Sequence, residues 1–375
     1  MSSRDNTARV RNHQAPTSWE RLEIGARLGD RYRLLGDIGE GGMGHVYEAW
    51  DERESCMVAL KVMSAKWTGN PVARERFLRE VEATRAVRHP NVVEVYDAGF
   101  IDDDRQRPYL VMERLYGMSL WHYVHCPVQG KGPMDLELAV ELMEQAADAL
   151  RASHRAGVIH RDVKPENFHL TRGPLGAPVL KLLDFGLVRI EYGNRTKLTQ
   201  AGTFVGTPEY MAPELARGED GSRRTDVYGL ASTFFELVTG AMPFNGESHL
   251  QVITQKQQEA APTLSEANPD LEFPPAMEAV IARALARDPA ERHQDTHQLA
   301  SDLRLSLERP SAASTPSVLP ERPRAPRLFA PDEPKGSPLR WLMVATLVLV
   351  AVAIVAVGVL DLPALDAFRE LQLQR

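Results

Sequence analysis

The sequence is poor in the residues that would stabilise an extracellular or metal-built domain. Its 375 residues include only two cysteines, Cys56 and Cys126, which fit neither a metal-ligand spacing nor a disulfide framework. We therefore expect a reducing compartment. The N-terminus has no apolar run after its charged residues, which argues against a signal peptide. No internal repeat is found.

The chain also lacks an excess of positive charge. Its formal net charge is −7, which gives no indication of nucleic-acid binding. The hydrophobic content of 43% and the charged content of 25% are ordinary for a folded protein. The length is sufficient for about two domains with cores of their own.

One segment, residues 341–360, lacks charge altogether. It is apolar over about 20 positions, which is the length that crosses a bilayer. A buried core helix is the alternative, but such helices rarely continue this far without a charged residue. Basic residues are in excess before the segment, which predicts that the N-terminal side is cytoplasmic. We expect a single-pass protein of the cell (inner) membrane.

The composition divides the chain into five parts. Residues 1–31 are polar and mixed in charge, which predicts a flexible tail. Apolar periodicity then continues through residues 32–305, the expected folded domain. Prolines recur through residues 306–340, which indicates an extended linker before the predicted membrane helix. Residues 361–375 are a short tail, too short to bury a core.

Glycines are concentrated near the start of the expected domain. Residues 39–46 read G-x-G-x-x-G-x-V between strand-like segments. Glycines let a hairpin approach phosphates without side chains in the way, whereas a dinucleotide fingerprint would lead from a strand into a helix. Lys61 follows on an apolar strand, where a buried ammonium needs a partner. Glu80 on the next predicted helix is the candidate; the alternative is that both residues are exposed.

The densest group of chemically useful side chains follows Val158 and Ile159, an apolar pair. Residues 160–167 read His-Arg-Asp-Val-Lys-Pro-Glu-Asn. An acid, a base and an amide packed this closely after a buried run are costly unless they are paired or used. Further along, Asp184 ends a short strand before Phe185-Gly186, where a carboxylate is well suited to hold a divalent ion. Residues 187–210 are rich in threonine, which predicts a mobile loop before Ala212-Pro213-Glu214.

In this order, these motifs resemble bacterial serine/threonine protein kinases of the eukaryotic type over roughly residues 32–305. The resemblance implies an α+β, bilobal fold with a small β-rich N-lobe, about 32–115, and a larger helical C-lobe, about 116–305. It implies transfer of the ATP γ-phosphate to serine or threonine hydroxyls of protein substrates. Lys164 and Thr207-Pro208 resemble the serine/threonine branch more than the tyrosine branch.

The resemblance also implies catalytic and metal-binding roles. Asp162 orients the substrate hydroxyl and accepts its proton, and Lys164 contacts the γ-phosphate. Asn167 and Asp184 hold Mg²⁺, with Mn²⁺ as an alternative ion. In addition, Glu214 is expected to pair with Arg292 and brace the lower lobe.

The implied ATP site lies between the lobes. Lys61 holds the α- and β-phosphates and pairs with Glu80 in the active state. Met112 is the gatekeeper, and the backbone of Glu113 and Leu115 bonds the adenine. The full set of implied ATP contacts is Ile38, Gly39, Glu40, Gly41, Gly42, Met43, Gly44, His45, Val46, Ala59, Lys61, Glu80, Met112, Glu113, Leu115 and His169.

Two features bear on nucleotide affinity and control. The resemblance places His169 under the adenine, at a position that is usually aliphatic in the family. Arg161, beside the catalytic aspartate, indicates activation by loop phosphorylation, because an arginine can pair a phosphothreonine bidentately. Thr199 and Thr203 are the candidate autophosphorylation sites.

The sequence leaves several points open. A second copy of the chain is a candidate partner beside protein substrates, ATP and the lipid bilayer. Two other function classes compete with an active kinase. One is a non-catalytic scaffold, which would normally lack Lys61, Asp162 or Asp184. The other is a small-molecule phosphotransferase of related fold, which phosphate transfer to casein would exclude.

Overall fold

A computed structural model describes residues 21–41, 44–63, 71–102, 106–126, 131–173, 176–183 and 208–308. The backbone of Glu80 lies in a helix within these ranges, but its side chain is not among those described. Other predicted features that fall outside the described ranges are Gly42, Met43, Asp184, Thr199, Thr203, residues 309–340 of the predicted linker and residues 341–375. Residues 306–308 of that linker lie instead at the end of the last described helix.

The N-terminal lobe is built on one antiparallel sheet of six strands, in the order β1-β2-β3-β4-β6-β5. The strands are β1 Arg27–Leu28, β2 Tyr32–Gly41, β3 Gly44–Asp51, β4 Cys56–Met63, β5 Val95–Phe100 and β6 Pro108–Glu113.

Strand β1 lies inside the region that the sequence assigns to a flexible tail. It pairs with β2 in the register Leu28 opposite Tyr32. Gly29 and Asp30 between them have positive φ values of 55° and 54°, as tight hairpins require. The ordered domain therefore begins before residue 32.

Helix α1, Pro71–Ala86, packs on one face of the sheet. Phe77 and Val81 lie in a buried cluster with Ala59 and Met112. A second cluster covers the opposite face and contains Leu34, Tyr47, Leu60 and Val111. Because side chains alternate along a strand, β3 contributes Val46 to the first face and Tyr47 to the second.

The C-terminal lobe is mainly helical, with a small antiparallel sheet in the order β7-β8-β9. These strands are β7 Gly117–Ser119, β8 Phe168–Arg172 and β9 Pro178–Leu182. The helices are α2 Leu120–His125, α3 Leu136–Arg155, α4 Pro213–Ala216, α5 Arg223–Thr239, α6 His249–Gln258, α7 Leu264–Ala267, α8 Pro275–Ala284 and α9 Thr296–Glu308.

Helix α5 is the centre of this lobe, since it is buried along its whole length from Thr225. Its start is fixed by a capping box. The Ser222 hydroxyl accepts a hydrogen bond from the backbone of the first turn, and the Thr225 hydroxyl accepts one from the Ser222 N–H. It ends at Gly240, whose φ of 75° is left-handed and favours glycine. The predicted division into a β-rich and a helical lobe is confirmed. No helix in the described ranges is long and apolar enough to span a bilayer.

Candidate active site

The loop from His160 to Asn167 holds its carboxylate between two donors. Asp162 Oδ2 lies 2.8 Å from Lys164 Nζ. Asn167 Nδ2 donates to the same oxygen at 3.1 Å and to the Asp162 carbonyl at 2.7 Å. A 3₁₀ turn, Pro165–Asn167, brings the amide back towards the acid. The three residues that the sequence assigns to catalysis and metal binding in this loop therefore meet at one point.

Asn167 also has the chemistry to hold a divalent ion. Both of its bonds to Asp162 come from Nδ2, which leaves the amide oxygen, a ligand type that hard cations prefer. The second predicted ligand, Asp184, is outside the described residues. Among those described, no group of three or more His, Cys, Asp or Glu side chains is placed to hold a metal ion.

A buried aspartate of α5 supports the loop from below. Asp226 accepts hydrogen bonds from the backbone N–H groups of His160 at 2.9 Å and Arg161 at 2.7 Å. Its Oδ2 also lies 2.6 Å from His154 Nε2. Arg161 has a φ of 65°, a left-handed conformation that is costly for a residue with a side chain. Asp226 thus fixes the loop in a strained shape.

Sequence reasoning did not assign this role to Asp226. The available signal was an acid at the start of an otherwise apolar helix, since a buried carboxylate needs several donors. The same loop is tied to the end of β9 by two bonds. His160 Nε2 lies 3.0 Å from the Leu183 carbonyl, and the Leu183 N–H donates to the Asn167 carbonyl at 2.8 Å.

The register of the N-terminal sheet brings the predicted nucleotide contacts together on the first face. Val46 lies opposite Lys61, and Ala59 lies opposite Met112. Lys61 is 6% exposed. A Cβ at Gly44 would come within 2.0 Å of the Val62 carbonyl oxygen, so only glycine fits there.

His45 is placed differently from its neighbours in the glycine-rich hairpin. Its ring lies 6.0 Å from that of Tyr47, a residue of the second face, and it is buried. The imidazole is therefore turned away from the face that carries Val46 and Lys61. This arrangement agrees with an ATP contact through the His45 backbone, but not with one through its ring.

The connection between the lobes constrains the implied adenine contacts. The Glu113 N–H donates to the Glu94 carbonyl at 2.8 Å, so its carbonyl is the backbone group that could make the implied adenine contact. The Arg114 guanidinium bonds the Leu115 carbonyl, so the N–H is the remaining backbone group at Leu115. An ion pair of 2.8 Å from Lys181 of β9 to the Glu113 carboxylate links the two lobes.

His169 lies on β8, in the small sheet below this connection. Burial, together with the nearby Arg114 charge, lowers the pKa of His169 to about 4. Its Nε2 is buried and has no hydrogen-bond partner among the described residues. The ring is therefore neutral at pH 7, and a neutral flat ring is compatible with a stacked base.

The predicted pair of Glu214 and Arg292 is present and bidentate. Nη1 and Nη2 of Arg292 donate to the two carboxylate oxygens at 2.8 and 2.9 Å. Glu214 also accepts from the Thr225 hydroxyl at 2.9 Å. Burial raises the pKa of Glu214, but the bonds and charge of Arg292 outweigh it, and the pKa is lowered overall.

The two lobes, with a glycine-rich hairpin in one and a braced acid-lysine-asparagine loop in the other, have the arrangement of a protein kinase fold. The family model described as the protein kinase domain matches residues 32–303. The chain therefore belongs to the protein kinase family.

Curated relatives and solved structures give the same family. The chain is 36% identical over 305 residues to serine/threonine-protein kinase PknB of Mycolicibacterium smegmatis, covering 81% of this chain and 47% of the relative. It is 38% identical over 317 residues to Pkn1 of Myxococcus xanthus, covering 83% and 43%. The crystal structure of the Mycobacterium tuberculosis PknI kinase domain matches with a TM-score of 0.60 at 27% identity, covering 76% of this chain and 100% of that one. The chain thus spans just under half the length of these curated relatives.

Proposed function

We propose that the protein is a serine/threonine protein kinase that transfers the ATP γ-phosphate to protein hydroxyls. The observation that carries this proposal is the position of Asp162, held between Lys164 Nζ at 2.8 Å and Asn167 Nδ2 at 3.1 Å. Phosphoryl transfer requires positioning and charge neutralisation more than covalent chemistry. A fixed carboxylate flanked by an ammonium and an amide supplies both.

In this proposal the Asp162 carboxylate orients the incoming hydroxyl and accepts its proton, while Lys164 offsets negative charge on the transferred group. Asn167 offers its amide oxygen to Mg²⁺. Asp184 is the second ligand, since it directly follows Leu183, whose N–H and carbonyl bond Asn167 and His160. When bound, the ion neutralises charge on the phosphates. Lys61 and the hairpin hold the nucleotide from above.

The test is phosphate transfer from radiolabelled ATP to casein by the purified full chain with Mg²⁺. Transfer to serine or threonine by wild type, and its loss in Asp162→Asn, supports the proposal. Wild-type protein that binds ATP and transfers no phosphate would instead favour the scaffold reading. Repeating the assay with Mn²⁺ in place of Mg²⁺ identifies the preferred ion.

We further propose activation by autophosphorylation at Thr199 or Thr203, supported by the position of Arg161 next to the catalytic acid. The Arg161 side chain packs against Gly221, where an added Cβ would lie 2.9 Å from its Nε. A phosphate paired by this guanidinium would thus be anchored near the start of α5. Phosphopeptide mapping of active protein that finds neither threonine modified would contradict this.

A third proposal concerns location. The uncharged segment 341–360 supports a single-pass anchor in the inner membrane, with domain 32–305 and linker 306–340 on the cytoplasmic side. Membrane fractionation of the full chain beside a variant lacking residues 341–375 tests it, and the proposal predicts that only the full chain sediments with membranes. Crosslinking in those membranes tests whether a second copy is a partner.

A further inference from the structure

A buried lysine in α6 lies outside the site described above. Lys256 is 2% exposed, and burial lowers its pKa to about 7. Its Nζ donates to the backbone carbonyls of Glu209 at 2.6 Å and Met211 at 2.9 Å. The ring centroids of Tyr228 and Phe244 lie 5.0 and 5.8 Å from the same nitrogen.

The two carbonyls belong to residues 208–212, which we call the 208–212 segment. Tyr210, between them, points the other way: its hydroxyl donates to Glu236 Oε2 at 2.5 Å, and it is 4% exposed. Glu236 is held in turn by His125 Nε2 at 2.7 Å. The segment is therefore fixed from two sides, by α6 through its backbone and by α5 through the Tyr210 side chain.

Helix α5 connects the 208–212 segment to the catalytic loop. The helix carries Asp226 under that loop and Tyr228 under Lys256. Gly229 packs so closely on the loop that an added Cβ would lie 2.8 Å from Val163 Cβ. Burial and the charges of Glu236 and of Glu166, a residue of the catalytic loop, raise the pKa of Tyr210, so the 208–212 segment lies near that loop. A protein chain that brings a hydroxyl to Asp162 would therefore pass near this segment.

Burying the Lys256 ammonium in this environment lowers the free energy of unfolding unless its charge is compensated. A buried charge is tolerated only where its donors are used, and an unbranched apolar side chain of similar length would fill the same volume. Within the described part of the chain, Nζ donates its hydrogen bonds to the 208–212 segment, and the ring of Tyr228 faces the charge. The same ring lies 4.9 Å from Arg292 Cζ, the partner of Glu214.

We propose that Lys256 is a positioning residue for the protein substrate. By holding the Glu209 and Met211 carbonyls it fixes the shape of the 208–212 segment, and that shape determines how tightly the substrate chain binds beside Asp162. Lys256 has no part in nucleotide binding. The proposal rests on the protein kinase activity proposed above.

The test compares Lys256→Met with Lys131→Met, a matched control at an exposed lysine of the same lobe. Steady-state kinetics of the full chain in detergent give kcat and KM for casein and KM for ATP. We expect Lys256→Met to raise the KM for casein about tenfold and to change kcat and the KM for ATP by less than about twofold, because the lost interaction acts on substrate binding. The control should match wild type in all three constants.

Hydrogen–deuterium exchange over residues 208–212 is the second measurement, and it needs no activity. We expect exchange there to become about tenfold faster in Lys256→Met and to stay unchanged in the control, since local opening sets the rate. If wild type does not phosphorylate casein, the proposed activity fails and the substrate-positioning role fails with it, whereas the exchange result still shows whether Lys256 fixes the 208–212 segment.

Three results would overturn the proposal. The first is an unchanged KM for casein, and the second is an equal rise in both KM values. The third is loss of cooperative unfolding both in Lys256→Met and in Lys256→Gln, which keeps two N–H donors; Lys256 would then be a structural residue of the lobe.

Discussion

The ion pair between Glu214 and Arg292 offers a quantitative test of how the lower lobe is held. Glu214 is 3% and Arg292 1% exposed. Arg292 also donates to three backbone carbonyls, those of Ala286 at 2.7 Å, Arg224 at 3.1 Å and Arg287 at 3.1 Å. Glu214→Gln changes only the charge and one oxygen, so it isolates the electrostatic part of this contact.

The expected loss in the free energy of unfolding is about 3 kcal/mol. Removing one partner of a buried ion pair costs about 3 to 5 kcal/mol, because the other charge remains buried and uncompensated. The lower end applies here since the three carbonyls still accept from Arg292. In a domain of this size the melting temperature should fall by about 6 to 12 °C.

Equilibrium unfolding in urea, followed by fluorescence, measures this loss, with Glu144→Gln as the matched control. Glu144 pairs with Arg304 at the surface, and their side chains are 40% and 34% exposed. Exposed pairs contribute less than about 1 kcal/mol, so the control should unfold near wild type.

The pH dependence gives the sign of the effect. Because the pKa of Glu214 is lowered from its ordinary value of 4.5 in the folded state, the stabilisation is fully present above that value and is lost as the pH falls through the lowered pKa. Wild type and Glu214→Gln should therefore converge in acid. A loss under about 1 kcal/mol at pH 7, or a difference that does not shrink in acid, would refute the reasoning.

Three further predictions concern the catalytic loop and the floor of the cleft. Asp162→Asn should lower kcat about 10² to 10⁴-fold and leave the ATP dissociation constant, measured by calorimetry, within about twofold; a large loss of ATP affinity would contradict the assigned role. Between pH 6.5 and pH 4, wild type should lose more stability than His169→Leu, because the folded-state pKa of about 4 means that the imidazole takes up a proton on unfolding. Measured by urea unfolding, the two losses in the free energy of unfolding should differ by about 3 kcal/mol. Parallel curves of stability against pH would contradict this prediction. Asp226→Asn leaves one loop amide without an acceptor and should cost about 1 to 3 kcal/mol, with faster hydrogen exchange at His160 and Arg161; unchanged exchange would show that other contacts hold the loop.

Much of the cleft could be predicted because its residues are close together in sequence. Asp162, Lys164 and Asn167 lie within one short loop, so their meeting follows from local geometry. The pairing of Glu214 with Arg292 joins distant parts of the chain, and only the family resemblance identified it in advance; the structure confirms it.

Other features depend on tertiary contacts that local pattern does not record. Lys256 is surrounded in sequence by glutamines, which is typical of an exposed helix face, yet the packing of α6 on the 208–212 segment buries it. His45 fits a glycine-rich nucleotide hairpin by position, but strand alternation turns its ring to the opposite face. Strand β1 is too short and polar for periodicity to detect, although Gly29-Asp30 was an available turn signal.

The left-handed backbone at Arg161 is less stable with an arginine than it would be with a glycine. A glycine would adopt the φ of 65° freely, whereas an arginine there costs about 1 to 2 kcal/mol. Keeping a guanidinium next to Asp162 therefore lowers the stability of this loop below what a glycine would give.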